Sequence, residues 1–179
     1  MAVLEQRERL IAKFAILAGL RPGEIPGLGW GHISDSHVDI RQRMYRGQID
    51  SPRSTRSFRK AALAARLVTE IRAWKEISLT PGEDAWVSPS ETGRTPLSRD
   101  NVWRRRFGPK LKAAGLGWVD FHVMRRTHPT LMNEIHDDPQ IVADQLGHTV
   151  DLNQNVYPRA SVARRKESVD APESSLPAM

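Results

Sequence analysis

The sequence predicts a mainly α-helical fold carrying a small antiparallel β-sheet, an α+β architecture, on three observations. Apolar residues recur at helical spacing in four separate stretches, 3–18, 62–79, 98–114 and 138–147. One stretch, His37-Val38-Asp39-Ile40-Arg41, alternates instead, and Arg46-Gly47 supplies a turn after it. The 179 residues, 39% of them hydrophobic, suffice for one well-buried domain. That domain is expected over 1–160. The last residues, rich in Ala, Pro, Glu and Ser, lack core formers, so 161–179 is expected to be a disordered tail.

In chain order, the first helix places Val3, Leu4, Leu10, Ile11, Phe14 and Leu17 on its apolar side, with Arg7, Arg9 and Lys13 between them. Gly19 suits the position just past its end. Leu20-Arg21-Pro22-Gly23-Glu24 then reads as a turn restarting a helix with Pro22 at its first position, and Pro26 makes that element short or kinked. Arg21 thus sits at a helix N-terminus, where backbone N–H groups already favour an anion. Two readings stay open for it: a partner for Glu24, or half of an anion site.

The polar run Ser51-Pro52-Arg53-Ser54-Thr55-Arg56-Ser57 is expected to be a loop between short strands, bringing Arg53, Arg56 and Arg59 together, either solvated or facing an anion. Leu63, Leu67, Ile71 and Trp74 mark the next helix, which ends before Thr80-Pro81-Gly82. Asp84 to Pro89 is extended and Glu91-Thr92-Gly93 turns. Ser98 caps a helix with Trp103, Phe107, Leu111 and Ala114 on its apolar face, and Gly115 stops it. Its other face carries Arg104, Arg105, Arg106, Lys110 and Lys112 with few acidic neighbours in sequence, which favours contact with a phosphate backbone over a merely solvated face. A helix over 122–135 follows, and Pro129 should bend or interrupt it. Asp138 caps the next, with Pro139 at its first position, Ile141, Val142 and Leu146 packing it and Gly147 ending it. His148 lies just past that C-terminus, where partial negative charge should favour its protonated form.

Charge and composition narrow the chemistry. The chain has 27 Lys and Arg against 21 Asp and Glu, a net charge of +6, and a pI near 10.2, which suits a polyanionic partner. With no cysteine, thiolate chemistry, disulfides and Cys-based zinc sites are excluded. The six histidines (32, 37, 122, 128, 136 and 148) show no metal-ligand spacing, so no metal is expected. No signal peptide and no apolar run of membrane-spanning length is present, and a cytoplasmic location is expected. The stretch from Phe121 to Tyr157 concentrates reactive groups: His122 and Arg125 one helical turn apart, His148 after a Leu-Gly, and Tyr157 nine residues later. Two imidazoles, a fixed cation and a phenol suit chemistry at a phosphate.

Taken jointly, GLRPGEIPGLGW around Arg21, HVMR at 122–125, LGH ending at His148 and the tyrosine nine residues on resemble the catalytic domain of the tyrosine recombinase, or phage integrase, family. The resemblance covers roughly residues 8–160. It implies the architecture of DNA breaking-rejoining enzymes, mainly helical with a small three-stranded sheet, acting on double-stranded DNA without metal, cofactor or added energy source. Carried over residue by residue, it implies Tyr157 as the nucleophile that forms a 3′-phosphotyrosyl link and Arg21 and Arg125 as clamps on the non-bridging oxygens. His148 would donate a further hydrogen bond, His122 would handle the tyrosine proton, and Glu24 would orient the site. Arg56, Arg104, Arg105, Arg106 and Lys110 are the expected DNA contacts, and family members act as tetramers on paired sites. The family's general-acid lysine is matched by Arg53, whose high pKa makes it a poor proton donor, with Lys60 or water as substitutes. Because the resemblance begins almost directly at the helix before Arg21, the family's N-terminal DNA-binding domain is expected to be missing from this chain. The alternative readings are a non-catalytic remnant that binds DNA or a partner, and a type IB topoisomerase relative.

Overall fold

The computed structural model of the chain describes residues 2–52, 54–135 and 138–150. Helix α1 (Gln6–Leu17) begins in a reciprocal cap in which the Glu8 carboxylate accepts the Glu5 N–H at 3.0 Å. Leu10, Ile11, Phe14 and Ala15 are buried along it, whereas Val3 and Leu17, expected on the same stripe, are exposed at its two ends. The helix closes through Gly19, whose φ of +64° lets the Leu20 N–H reach back to the Phe14 carbonyl at 3.1 Å.

No α-helix restarts after Leu20. Residues 21–24 form a turn and Ile25–Gly27 a single 3₁₀ turn, the short outcome that two closely spaced prolines impose by removing backbone donors. Arg21 therefore heads a hydrogen-bonded turn and not a helix N-terminus.

Strands β1 (His37–Ile40), β2 (Arg43–Tyr45), β3 (Gln48–Asp50) and β4 (Arg59–Ala62) form two separate antiparallel pairs among the described residues, not the three-stranded sheet expected. β1 pairs with β4, His37 opposite Ala62 and Ile40 opposite Arg59. β2 and β3 form a hairpin whose Arg46-Gly47 turn has φ of 49° and 81°, the doubly left-handed geometry that matches strand twist. β4 is the short strand expected after the loop at 51–57, and the next helix, α2 (Ala65–Glu76), starts after it and not at Ala62.

α3 (Arg99–Val102), a π-helical turn (Trp103–Phe107) and α4 (Gly108–Ala113) form one basic helical stretch. The widened turn precedes Pro109, which cannot donate, and the Gly108 N–H reaches the Trp103 carbonyl five residues back. Trp103 stacks on Phe107 at 5.7 Å between ring centroids and tilts onto Phe121 at 4.9 Å. Ala114 is exposed, so the apolar face ends at Leu111. α5 (Phe121–Glu134), capped by Asp120, runs through Pro129 without interruption. α6 (Pro139–Leu146), capped by Asp138, ends at Gly147 in the left-handed conformation. α1 packs on α2 and α5, and α6 packs on α5 and β4. That contiguity carries the C-terminal ends of α1 and α6 to the same place. No helix among the described residues is long and apolar enough to cross a membrane.

Candidate functional site

The end of α6 gathers the charged residues. A helix C-terminus leaves its last carbonyls without partners and carries partial negative charge, so it attracts donors with positive charge. Here three consecutive carbonyls each take one arginine from a different element. Arg59 Nε donates to Gln145 O at 2.8 Å, Arg125 Nη2 to Leu146 O at 2.7 Å and Arg21 Nη2 to Gly147 O at 2.7 Å. Arg125, buried on α5, also donates through Nη1 to Gly19 O at the end of α1. Its guanidinium thereby ties two helix ends together.

Gly147 is required twice. Its φ is +65°, and a Cβ there would lie 2.8 Å from Arg59 Cδ and 2.9 Å from the Arg56 carbonyl oxygen. The turn directs the His148 N–H to Ala143 O at 3.1 Å and its Nδ1 to Thr149 O at 3.2 Å, so Nδ1 carries the proton. His148 does not gain the raised pKa expected of a helix C-terminus. Burial lowers it below 6.5, the bond to Thr149 opposes this, and the charges of Arg125, Arg21 and Arg59 lower it further. Burial is the larger cause, and the three guanidiniums act in the same direction.

Glu24 organises two of those arginines. Its Oε1 accepts from Arg21 Nη1 at 2.8 Å and Arg59 Nη1 at 2.9 Å, while Oε2 accepts from the Arg21 N–H at 2.7 Å and Arg59 Nη2 at 3.0 Å. Burial alone would raise its pKa, but the bonds and charge of Arg59, together with Arg21, hold it at about 2. Both readings of Arg21 are therefore compatible: it pairs with Glu24 and is still a third exposed. Beside it opens a cleft of roughly 490 Å³ lined by Arg21, Glu24, Arg43, Tyr45, Arg99 and His122. His122 is exposed and also lines an adjoining cleft of roughly 400 Å³ with Arg99 and Arg104.

Other expected positions divide. Arg56 is exposed on a 3₁₀ turn (Thr55–Ser57), and Arg104 and Arg105 are exposed on the π-helical turn. Arg106 and Lys110 do not form the open basic face expected of them. Lys110 Nζ bonds Glu5 at 2.9 Å and buried Glu8 at 2.7 Å, and Arg106 faces Glu5 at 3.5 Å and Glu91 at 3.8 Å. Glu5 and Glu8 lie about a hundred residues earlier, beyond any local count of acidic neighbours. Of the expected Arg53, Arg56 and Arg59 cluster, Arg53 lies outside the described residues, Arg56 is exposed, and the Arg59 side chain turns inward and is 6% exposed. Sequence reasoning missed it as a site residue. The period of two along β4, with Ala61 buried and Lys60 and Ala62 exposed, turns Arg59 in and Lys60 out, and no alternation of apolar residues marks that in the sequence. Arg53, Tyr157 and the tail lie outside the described residues.

Residues 1–164 match the model of the phage integrase family. A tyrosine recombinase XerC-like protein of Caldanaerobacter subterraneus subsp. tengcongensis is 22% identical over 196 aligned positions, which cover 94% of this chain and 50% of that protein. The chain thus spans about half the length of the curated relative it matches. Among solved structures, the Tn1549 transposon integrase in complex with circular intermediate DNA superposes with a TM-score of 0.73 at 16% identity, over 91% of this chain and 58% of that one. The XerA recombinase gives 0.65 at 21% identity over 93% and 61%. The XerH recombinase bound to its difH substrate gives 0.63 at 18% identity over 94% and 48%. These likenesses bear out the mainly helical fold with its small antiparallel sheets.

Proposed function

This chain belongs to the phage integrase family, and on that premise we propose that it cleaves and rejoins duplex DNA through a covalent tyrosyl intermediate. One observation carries the reading: Arg21, Arg125 and His148, far apart in sequence, meet at the end of α6, and Arg21 shares an open cleft with His122. In this reading the Tyr157 oxygen attacks the scissile phosphorus, the bond to the 5′-oxygen breaks, and a 3′-phosphotyrosyl ester forms while the 5′-hydroxyl leaves. His122 accepts the phenolic proton, which a group of ordinary pKa near 10 does not give up unaided. Arg21 and Arg125 offset the charge that gathers on the non-bridging oxygens. An arriving phosphate also counters the three guanidiniums around His148, which favours the imidazolium and lets Nε2 donate to the phosphate. Arg53, Lys60 or water supplies the proton to the leaving oxygen, Arg53 being the poorest donor of the three. The ester keeps the bond energy, so attack by a 5′-hydroxyl reverses the step. Double-stranded DNA is the proposed substrate, Arg56, Arg104 and Arg105 its outlying phosphate contacts, and a tetramer on paired sites the proposed working assembly.

The test uses nicked duplexes selected from a random-sequence pool for retention by the protein, in which cleavage releases a short strand and traps the intermediate. Wild type is expected to give a denaturant-resistant protein–DNA adduct that Tyr157→Phe lacks, and Arg53→Lys is expected to form it faster. Bound DNA without adduct in wild type would remove the catalytic claim and leave the non-catalytic reading, which arginine in the acid position favours. An adduct with Tyr157→Phe would remove the nucleophile assignment.

A further inference from the structure

Arg59 stands in the middle of the charge cluster yet has almost no surface. Its side chain is 6% exposed, on the inward face of β4. Four of its five N–H donors have partners: Glu24 Oε1 and Ser57 O for Nη1, Glu24 Oε2 for Nη2 and Gln145 O for Nε. A group so engaged cannot also fork onto a phosphate. Through Glu24, whose four acceptor positions are shared equally with Arg21, it fixes the direction of the Arg21 guanidinium. Through Gln145 O, and by packing its Cδ where a side chain on Gly147 would otherwise go, it fixes the turn that presents His148. A lysine there would keep the charge but could not hold Glu24 with two nitrogens and Gln145 with a third.

We propose that Arg59 is a positioning residue of the strand-transfer centre, holding Arg21 and the Gly147–His148 turn in register from β4 without touching DNA. The proposal rests on the strand-transfer reading for its effect on rate, and on the fold alone for its effect on His148.

The experiment compares wild type, Arg59→Lys and Arg59→Gln, each first melted to establish that it folds. DNA affinity and single-turnover adduct formation are then measured on the nicked duplexes, and the His148 ring is titrated by NMR in the DNA-free protein. Both variants are expected to bind DNA as wild type does, and to form adduct about tenfold or more slowly, as misplaced catalytic groups do. The His148 pKa is expected below 6.5 in wild type and higher in Arg59→Gln, where one cation is gone. Adduct formation at the wild-type rate in both variants would overturn the proposal, as would a loss of DNA affinity matching the loss of rate, which would make Arg59 a DNA contact. If neither variant folds, the wild type decides: its NMR spectra should show NOEs between the Arg59 side chain and the Gly147 Hα, and their absence means the placement fails. If wild type forms no adduct, the strand-transfer reading has failed, and an unshifted His148 in Arg59→Gln separately sinks the positioning role.

Discussion

Glu24 shows how a single buried carboxylate can set the direction of two cations. Held at about pH 2 against an ordinary value of 4.5, it is ionised wherever the protein functions. A depressed folded pKa means stability that is fully present above 4.5 and lost as pH falls from there toward 2. Glu24→Gln leaves Arg59 buried without its counter-charge, and should lower unfolding free energy at pH 7 by about 3 kcal/mol. Urea denaturation at several pH values checks this: the gap between wild type and variant should close as pH falls from 4.5 toward 2. A gap independent of pH would mean that charge on Glu24 contributes nothing. At this scale the sequence was only half readable. Residue types at Arg21, His122, Arg125 and His148 pointed to phosphate chemistry, but the carbonyls that Arg21 and Arg125 contact are backbone atoms of other elements, which side-chain identity does not encode.

The α3 to α4 stretch separates two kinds of basic residue that look alike in sequence. Lys110 and Arg106 turn toward the start of α1, where Glu5 and Glu8 await them, whereas Arg105 is exposed and makes no ion pair among the described residues. Lys110→Met should therefore lower the melting temperature while DNA affinity keeps its salt dependence. Arg105→Ala should leave the melt unchanged and reduce the slope of log affinity against log salt by about one. Filter binding at several salt concentrations separates the two, and a reduced slope with Lys110→Met would return that residue to the DNA surface. Helices were legible here because their periodicity is local and their caps are short motifs: Ser98 and Asp138 each accept a backbone N–H of the first turn, as does Asp120, which was not read as a cap. A strand after the loop at 51–57 was legible, but not which face of β4 turns inward, because the positions that do so are an arginine and a small alanine, neither of which marks an apolar face.

Across the whole molecule, stability is unevenly shared. Phe14, Leu20, Ile40, Phe107 and Leu146 are almost wholly buried, whereas every residue of β3 is exposed and the β2–β3 hairpin shows no buried side chain. Amide exchange should be slowest in the middle of α1 and α5 and several orders of magnitude faster in the hairpin, which opens without unfolding the core. Hairpin amides protected as strongly as those of α1 would contradict that division. The mainly helical fold was legible because the helices carry apolar stripes at a local, readable spacing. Its meeting point was not, since the approach of the α1 and α6 ends depends on Gly19 and Gly147 admitting neighbours where a Cβ would collide.

The three arginine bonds at the end of α6 bear also on the entropy of recognition. A long guanidinium chain free in water loses up to about 2 kcal/mol of rotamer freedom when it is fixed. Arg21, Arg59 and Arg125 lose theirs when the chain folds, because each is already held by a carbonyl of Gln145, Leu146 or Gly147. On the proposed reading, a phosphate entering the cleft would meet Arg21 and Arg125 already ordered, so the ordering penalty would fall on folding and the free energy of contact would remain available to the bound state.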